Sequence, residues 1–254
     1  MVEVVPGNLV LRAGMWPGRL APCRDLAVRQ ALAEGTARVL ADDRASSVLV
    51  VRRGAGQVEV MGLGKPGPAL EWLAEYEQIG PLALLAPEEW AGPASAAIGV
   101  RGGAMIRTWT EAPEELPAAG LARVRRLGAG DEPGFRAAAP AWAGLTWSSF
   151  GRLIGAGAAF GVEARGGFGF AALAWVHEQD ESRDALAVWT GPGYRRLGLG
   201  YSAAAALMRH VVEVRGKRPT WTCGAENAAS VALTGRLGLT GPVDEGLLRR
   251  GTGR

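Results

Sequence analysis

Short apolar runs separated by glycine, proline and charged residues predict a chain of alternating strands and helices. In the first half, Arg53-Gly-Ala-Gly56 separates two strand-like runs and indicates a β-hairpin. Leu70, Leu73 and Tyr76 fall on one face of a helix predicted over Ala69–Gln78. The strands predicted in this half are Ser47–Arg53, Gln57–Gly62, Leu82–Leu85 and Gly103–Thr110.

The pattern of the second half predicts the order β-α-α-β-β-β-α-β-α. Its first strand covers Leu121–Leu127, and we expect Asp131 to cap a helix that runs through Ala138. A long helix over Tyr201–Arg215 should end at Gly216. The other expected elements are a helix around Ser148–Ile154, strands near Ala159–Glu163, Phe168–His177, Ala185–Thr190 and Pro219–Cys223, and a last helix from Asn227 to near Gly238.

The proline-rich stretch Glu111–Pro117 divides this pattern into two parts. We therefore expect an N-terminal α/β domain over residues 1–118 and a second domain over residues 119–254. Three sequential strands before the long helix predict a mixed sheet, so the expected fold class is α/β (α+β with a mixed sheet). The first part contains no glycine-arginine loop and indicates no function by itself.

Composition narrows the class of protein. With 254 residues, 48% of them hydrophobic and 21% charged, the chain is typical of a soluble globular protein. No apolar run approaches the roughly 18 residues of a membrane span, and the N-terminus lacks the pattern of a secretory signal. Cys23 and Cys223 lie far apart without metal-ligand spacing, so we expect a cytoplasmic protein with no membrane and no metal site.

The net charge of +3 comes almost entirely from arginine, since Lys65 and Lys217 are the only lysines. One explanation is a coding bias, and another is an arginine-lined surface that binds phosphates. A charge this small argues only weakly for nucleic acid, so no nucleic-acid partner is expected.

The segment Thr190–Gly200 carries the clearest chemical signal. It reads T-G-P-G-Y-R-R-L-G-L-G and leads from a predicted strand into the long helix. Glycines allow the backbone to approach a ligand closely, and the free N–H groups at the start of a helix attract anions. Arg195 and Arg196 add positive charge, which favours a diphosphate over a lone carboxylate.

Two common nucleotide motifs fit this segment poorly. Gly198-Leu-Gly200-Tyr-Ser-Ala203 matches the G-x-G-x-x-A dinucleotide fingerprint, which expects its first glycine almost at the end of a strand. Here seven residues separate Thr190 from Gly198, and three antiparallel-looking strands come first. No G-K-[ST] follows, which excludes a P-loop.

The segment Arg195-Arg-Leu-Gly198-Leu-Gly200 instead resembles the R-x-x-G-x-G of motif A in the GCN5-related N-acetyltransferases, the GNAT superfamily. Further motifs agree in order and spacing with the family, and with a bacterial subgroup that carries P-x-W-x-C…N-x-x-S. They are Trp147-Ser-Ser-Phe150, Thr220-Trp-Thr-Cys223, and Asn227-Ala-Ala-Ser230 with Leu233 and Arg236-Leu-Gly-Leu239. The resemblance covers about Leu121 to Gly241.

The resemblance implies a GNAT acyl-CoA N-acyltransferase fold in the second domain, with acetyl-CoA as co-substrate. It implies that the N–H groups from Arg196 to Gly200 hold the pyrophosphate, and that strand Leu186–Thr190 pairs with the pantetheine arm. An N–H near Val188 would stabilise the oxyanion of the attacked thioester. The residues implied in coenzyme binding are Val188, Thr190, Arg195, Arg196, Leu197, Gly198, Leu199, Gly200, Tyr201, Asn227 and Ser230.

The function expected from the resemblance is acetyl transfer to a primary amine, of a small molecule or a peptide, by direct attack on the thioester. The family's glutamate base has no counterpart on the strand Ala185–Thr190, where Asp184 is the nearest carboxylate. Thr234 stands where the family often carries a tyrosine acid. Asp184 and Thr234 are therefore the catalytic candidates at the family's positions, and a non-catalytic acyl-CoA sensor or scaffold is the alternative.

Several residues and segments allow more than one interpretation. His177 is either a base or an exposed histidine at a strand end, and Cys223 is either a nucleophile or a small buried hydrophobe. The β-β-α-β run over Ser47–Leu85 leads to the hypothesis that the first domain is a degenerate GNAT-like copy. Arg249-Arg250 is interpreted as a solvated tail, and the protein as a monomer or homodimer.

Overall fold

The structure is a computed structural model that describes most of the chain. The described residues are 2–4, 22–41, 46–54, 57–76, 82–99, 101–118, 120, 122–140, 143, 146–166 and 169–249. The chain divides into two compact units. The first comprises Met1–Arg107, Gly224–Glu226 and Asp244–Arg254, and the second comprises Thr108–Cys223 and Asn227–Val243.

Strands and helices alternate along the described chain. The strands are β1 (Val2–Val4), β2 (Ala37–Ala41), β3 (Ser47–Gly54), β4 (Gln57–Gly64), β5 (Leu82–Leu85), β6 (Arg101–Glu111), β7 (Arg125–Arg126), β8 (Ala159–Glu163), β9 (Phe170–Gln179), β10 (Arg183–Thr190), β11 (Arg218–Gly224) and β12 (Thr240–Arg249). The helices are α1 (Pro22–Ala33), α2 (Ala69–Tyr76), α3 (Ala91–Ile98), α4 (Glu132–Ala138), α5 (Phe150–Ala156), α6 (Leu199–Arg209) and α7 (Ala228–Arg236).

The first unit is a mixed sheet in the order β1-β2-β3-β4-β5, and the end of β12 runs antiparallel to β5. The strands from β1 to β4 pair antiparallel, whereas β4 and β5 are parallel. The alternation of side chains along β3 explains how this sheet is covered. Val48 and Val50 belong to a core that includes α1, whereas Leu49 and Val51 belong to a core that includes α2 and α3.

The second unit has the strand order β6-β11-β10-β9-β8-β7. β10 and β11 are parallel, and the other pairs from β7 to β10 are antiparallel. β9 is buried from Phe170 to Val176, because helices cover both faces of the sheet at this strand. On one face, Gly200 of α6 approaches Val188 of β10. On the other face, Phe135 of α4 lies edge-on to Trp175 of β9, with ring centroids 5.6 Å apart.

Both units contain the same succession of elements. The order α1-β2-β3-β4-α2-β5-α3-β6 repeats as α5-β8-β9-β10-α6-β11-α7-β12, and the matching strand pairs within β2–β5 and β8–β11 run in the same senses. This agrees with the hypothesis of a degenerate GNAT-like copy. The two units differ at the loop after the third strand of the repeat, which covers residues 65–68 in the first unit and residues 191–198 in the second.

The structure confirms most of the predicted elements and changes several boundaries. The first continuous segment of the first unit runs to Arg107, within β6, whereas the division predicted from the sequence falls after residue 118. The strand predicted over Leu121–Leu127 is limited to Arg125–Arg126 among the described residues. The turn residues 55 and 56, the helix end at Gln78 and the strand start at Phe168 lie outside the described residues.

The prediction that Asp131 caps α4 is wrong. Its side chain makes no cap hydrogen bond to this helix. Instead the carboxylate accepts a hydrogen bond from the Gly128 N–H at 2.8 Å and pairs with Arg125 at 2.7 Å. The hydrogen bond from Arg125 holds the pKa of Asp131 below its ordinary value. Asp131 therefore closes the short turn before α4.

The prediction of a solvated tail at Arg249 is also wrong. Arg249 ends β12 and aligns with Ala83 of β5, while Arg250 lies outside the described residues. The segment was missed because Gly241 and Pro242 interrupt its apolar pattern and its partner strand is distant in sequence. None of the helices within the described ranges is long and apolar enough to span a membrane.

Candidate functional site

The parallel strands β10 and β11 separate in the middle of the second unit's sheet. Their pairing covers four positions, from Arg183 opposite Arg218 to Leu186 opposite Trp221. Beyond Leu186, β10 stays with β9 as far as Thr190. β11 instead stays beside β6, where the hydroxyls of Thr222 and Thr108 are 2.9 Å apart. The described residues therefore leave an opening along Ala187–Thr190, where the backbone edge of β10 can pair with an extended ligand.

The loop that follows β10 leads to an open helix start. Gly198 precedes α6 with a left-handed backbone, at a φ of 77°, and no side chain caps the helix. Arg196 is also left-handed, at a φ of 66°, which is uncommon for a residue with a Cβ. The loop residues Arg195 to Leu197, shortly before the first helical turn, are exposed. The N–H groups of that turn and the two arginines can hold an anion.

A close approach of α6 to the end of β10 fixes this helix start. A Cβ on Gly200 would lie 2.7 Å from Oγ1 of Thr190 and 3.5 Å from Cγ1 of Val188. Glycine is required here for space, and its φ is unremarkable. The contact also shows that the side chains of Val188 and Thr190 face α6. The start of α6, which can hold an anion, therefore lies at the outer end of the opening between β10 and β11.

Tyr201 connects the helix start to α7. Its hydroxyl donates to the carbonyl of Ala118 at 3.3 Å, and its ring lies 4.6 Å from the guanidinium carbon of Arg236. The cation–π contact holds Arg236 at the side of α6. Arg236 is therefore a third arginine near the helix start, which the sequence motif alone did not indicate.

Asn227 and Ser230 both have structural contacts. Oδ1 of Asn227 accepts a hydrogen bond from the Ser230 N–H at 3.2 Å, so Asn227 caps α7 as predicted. The hydroxyl of Ser230 accepts from the indole N–H of Trp221 at 2.9 Å. Since Trp221 is the last residue of β11 paired with β10, Ser230 supports the point where the strands separate.

Asp184 lies in a buried ion cluster, which we define as Asp184, Arg215 and Lys217. The Asp184 side chain is fully buried, and Arg215 and Lys217 donate to both of its oxygens. Arg215 also donates to the carbonyls of Ala156 and Gly157, at 2.9 and 3.1 Å, at the end of α5. These contacts favour a structural role, because a general base needs an accessible oxygen.

Thr234 is likewise buried on α7. Its hydroxyl donates to the carbonyl of Val231 at 2.8 Å, inside the helix. A hydroxyl held in this way is poorly placed to protonate a leaving thiolate. Within the described residues, no group of histidine, cysteine and acidic side chains comes together that could hold a metal ion.

A pocket of about 140 Å³ lies on the face of the sheet opposite α6. Phe135 in its wall lies edge-on to Trp175, which is aligned with Ala187 of β10. The indole N–H of Trp147, also in the wall, donates to the carbonyl of Val176 at 2.8 Å. The pocket is therefore next to the opening. Its lining residues are Phe135, Arg136, Ala143, Trp147, Ser148, Ser149, Phe150 and Leu153.

Comparison with known proteins places this arrangement in a family. A family profile described as the acetyltransferase (GNAT) domain matches residues 104–240, more than half of the chain. The search of curated proteins gives no match. Among solved structures, a GCN5-related N-acetyltransferase-like protein from Streptococcus suis is 17% identical, with a TM-score of 0.68 over 88% of this chain and 92% of that chain.

Two further structures extend the likeness along the chain. A GCN5-related N-acetyltransferase from Kribbella flavida is 15% identical, with a TM-score of 0.64 over 91% of this chain and 95% of that chain. A tandem GNAT protein from the clavulanic acid biosynthesis pathway is 13% identical, with a TM-score of 0.60 over 100% and 98%. At these identities the structures show a shared fold. Together with the profile match across the opened sheet and its loop, they establish that the chain belongs to the GNAT acetyltransferase family.

Proposed function

We propose that the chain is an acetyl-CoA-dependent N-acetyltransferase that acetylates a primary amine of a small molecule or peptide. The observation that carries this proposal is the opening between β10 and β11 after Leu186, which leads to the uncapped start of α6. Coenzyme A has an extended arm with two amide groups and a pyrophosphate at one end. A strand edge that leads to an anion-binding helix start matches both parts.

The coenzyme contacts follow from this placement. The N–H groups from Arg196 to Gly200 and the Tyr201 N–H would bind the pyrophosphate, with Arg195 and Arg196 supplying charge. The backbone of Val188 and Thr190 would pair with the pantetheine arm, and the Val188 N–H would stabilise the oxyanion. Leu197, Leu199, Asn227 and Ser230 would border the coenzyme.

The acceptor amine would lie on the pocket side of the opening. Phe135, Trp147 and Phe150 offer an apolar surface for the body of the acceptor, and Ser148 and Ser149 offer polar groups. From there the amine nitrogen would attack the thioester carbon, and the C–S bond would break to release the coenzyme A thiol. The proposed chemistry needs no metal, because the N–H groups of the opening supply the electrostatic stabilisation.

The test has two parts. Calorimetry with coenzyme A and with acetyl-CoA should detect saturable binding of both. Release of free thiol from acetyl-CoA is then followed with a panel of primary amines, including amino acids and short peptides, and at least one amine should accelerate it. A protein that binds neither coenzyme A nor acetyl-CoA would contradict the proposal.

A non-catalytic acyl-CoA sensor is the second candidate function. It is favoured by the contacts of Asp184 and Thr234, whose polar atoms are engaged by Arg215, Lys217 and the backbone. A sensor would bind acetyl-CoA in the calorimeter but release no thiol with any amine of the panel. The two functions therefore differ in the second measurement alone.

A further inference from the structure

The first unit also contains a place where two parallel strands part. β4 and β5 pair over four positions, the last of which aligns Met61 with Leu85, whereas β4 continues to Gly64. Gly64 is aligned with Ser47 of β3, and the next N–H, of Lys65, donates to the carbonyl before Ser47 at 2.9 Å. In an antiparallel pair this pattern turns the peptide groups of Gly64 away from β3. They therefore face the side of β5, beyond the end of its pairing.

Gly64 matches the residue that ends the corresponding strand of the second unit. Thr190 is the last residue of β10 and is aligned with Ala172 of β9. The next N–H, of Gly191, donates to the carbonyl of Ala171 at 2.9 Å. The two strand ends thus have the same hydrogen-bond pattern. The carbonyls of Gly64 and Thr190 both face the side on which the parallel strands part.

Trp90 covers this side of β4. Its indole N–H donates to the carbonyl of Gly64 at 2.7 Å, and the residue is fully buried. A Cβ on Gly62 would lie 2.9 Å from both Cη2 and Cζ3 of the same ring, so only a glycine leaves room for the indole on the strand. The ring therefore lies on β4 beyond Met61, the last residue that pairs with β5.

The position of Trp90 in the repeat matches that of Asn227. Each is the N-cap residue of the helix after the fourth strand of the repeat, α3 in the first unit and α7 in the second. Asn227 uses its side chain to cap α7, whereas Trp90 makes no cap hydrogen bond and reaches β4 instead. Among the described residues, the carbonyl of Thr190 has only a long side-chain contact, 3.5 Å from Nε of Arg195.

We propose that Trp90 is a built-in occupant of the opening in the first unit, where it takes the position that the pantetheine arm would take in the second unit. The comparison with the second unit rests on the function proposed above. The indole gives β4 an apolar surface over Gly62 and one N–H donor for Gly64, as an extended arm with amide groups would. The first unit is thus closed to a coenzyme. The ligand class that its opening fits is a flat bicyclic aromatic with one N–H donor.

Removal of the side chain tests this occupancy. Trp90→Gly should lower the thermal midpoint by roughly 10 °C, because a large buried side chain is lost, and should open a site for free indole. In calorimetry with this full-length variant, indole should bind at least about tenfold more tightly than benzofuran, which has the same shape but no N–H donor for the Gly64 carbonyl. Indole should also restore part of the lost midpoint. Equal affinities for the two compounds, or no binding of either, would overturn the proposal.

Trp72→Gly is the matched control. Trp72 of α2 is buried in the same apolar core as Trp90. Within the part of the chain that the structure describes, its indole N–H makes no hydrogen bond. A cavity at this position should not distinguish indole from benzofuran. The same preference for indole in this control would show that the Gly64 carbonyl is not its cause, and would refute the proposal.

A measurement on the unmodified protein keeps the proposal testable if Trp90→Gly does not fold. In NMR spectra with isotope-labelled tryptophan, Trp90→Phe assigns the indole N–H of Trp90. This signal should exchange slowly with solvent and stay in place when acetyl-CoA saturates the protein, whereas that of Trp221, where β10 and β11 separate, should shift. A Trp90 signal that loses its protection on saturation would show that the coenzyme displaces the indole, against the proposal. A wild type that binds no acetyl-CoA would instead refute the proposed function.

Discussion

Arg196 holds a left-handed backbone in the loop before α6, with a φ of 66°. For a residue with a Cβ this conformation costs roughly 1–2 kcal/mol, and such strain is concentrated at functional sites. Glycine would adopt the same backbone without that conflict, although it would also add entropy to the unfolded chain. An arginine at this position is best explained by its charge, because its exposed side chain contributes little packing.

We therefore expect Arg196→Gly to keep the thermal midpoint close to that of the wild type while weakening coenzyme A binding about tenfold, or roughly 1.4 kcal/mol. Calorimetry and thermal unfolding measure the two effects separately. Arg165→Gly is the matched control, since it removes an exposed turn arginine between β8 and β9 and should leave binding unchanged. Equal affinities of Arg196→Gly and the wild type would show that this charge does not contact the coenzyme.

A substitution at Gly200 tests the contact between α6 and β10. A Cβ at this position would overlap Oγ1 of Thr190, at 2.7 Å. Gly200→Ala should lower stability by about 1–3 kcal/mol, as overpacking does, and should weaken coenzyme A binding by moving the helix start. The double variant Gly200→Ala with Thr190→Ala removes the overlapping atom and should recover part of both losses. No recovery in the double variant would mean that the glycine is needed for a different reason.

Among the elements, the buried ion cluster joins β10 to the end of α5. Asp184→Ala would leave Arg215 and Lys217 without their carboxylate and should lower the free energy of unfolding by about 3–5 kcal/mol. Chemical denaturation measures this loss. Asp244→Ala, which removes an exposed partner of Arg107, should cause no comparable change. An Asp184→Ala protein of wild-type stability that had lost only kcat would instead identify Asp184 as a base.

The end of α6 gives the fold a pH dependence. Burial, and then the positive charges of Arg126 and Arg215, lower the pKa of His210, while Asp184 opposes this shift. The folded state thus binds this proton less readily than the unfolded state does. Stability should be complete above pH about 6.5 and should decline as the pH falls through the lowered pKa.

His210→Gln should flatten this part of the stability profile, measured by denaturant unfolding between pH 8 and about 5. Asp131 titrates below this range, because its pKa is lowered from an already acidic value. The quantity compared is the slope of the unfolding free energy against pH in the variant and in the wild type. Contributions from the other titrating groups are the same in both proteins and therefore cancel. Identical slopes would show that the environment of His210 does not differ between the folded and unfolded states.

The predictability of the elements follows from how local their signals are. α7 was predicted because Asn227 caps it through a contact three residues away, and β8 and β10 because their apolar runs are compact. β12 was missed because it is defined by pairing with β5, more than 150 residues earlier. Asp131 was misassigned because its partner Arg125 competes with the helix cap, which spacing does not reveal.

At the scale of the whole molecule, the two units repeat the same order of elements but differ in the loop before α2 and α6. Because of this difference, we expect one coenzyme site rather than two. The loop before α2 covers only residues 65–68 and includes Pro66 and Pro68, which have no N–H groups. The N–H groups of Leu70 and Glu71 already donate to carbonyls in this turn. Among its described residues, the first unit therefore has no counterpart of the loop at residues 191–198.

Calorimetry should accordingly give one coenzyme A per chain, and Arg195→Glu combined with Arg196→Glu should abolish all measurable binding. Lys65→Glu in the loop of the first unit is the control and should leave both the stoichiometry and the affinity unchanged. Two sites per chain, or binding that survives the double glutamate variant, would contradict the assignment of the loop.

The candidate site was predictable in part. The glycine-arginine loop is contiguous in sequence, so its motif could be recognised directly. The opening after Leu186 and the pocket around Trp147 depend on strand register and on contacts between distant segments. Sequence alone leaves His177 as either a base or a histidine at a strand end, and the register then shows that β9 is bulged between Val176 and Glu178.

The position of β12 has a consequence for how the protein is made. Asp244–Arg249 belongs to the first unit, where its end runs antiparallel to β5, although it is near the end of the chain. During synthesis, β5 leaves the ribosome long before this partner strand exists. Until β12 is synthesised, the N–H and C=O groups on that edge of β5 lack their strand partner, and unpaired strand edges favour aggregation. Truncations that remove Asp244–Arg249 should therefore disturb the unit that contains β5.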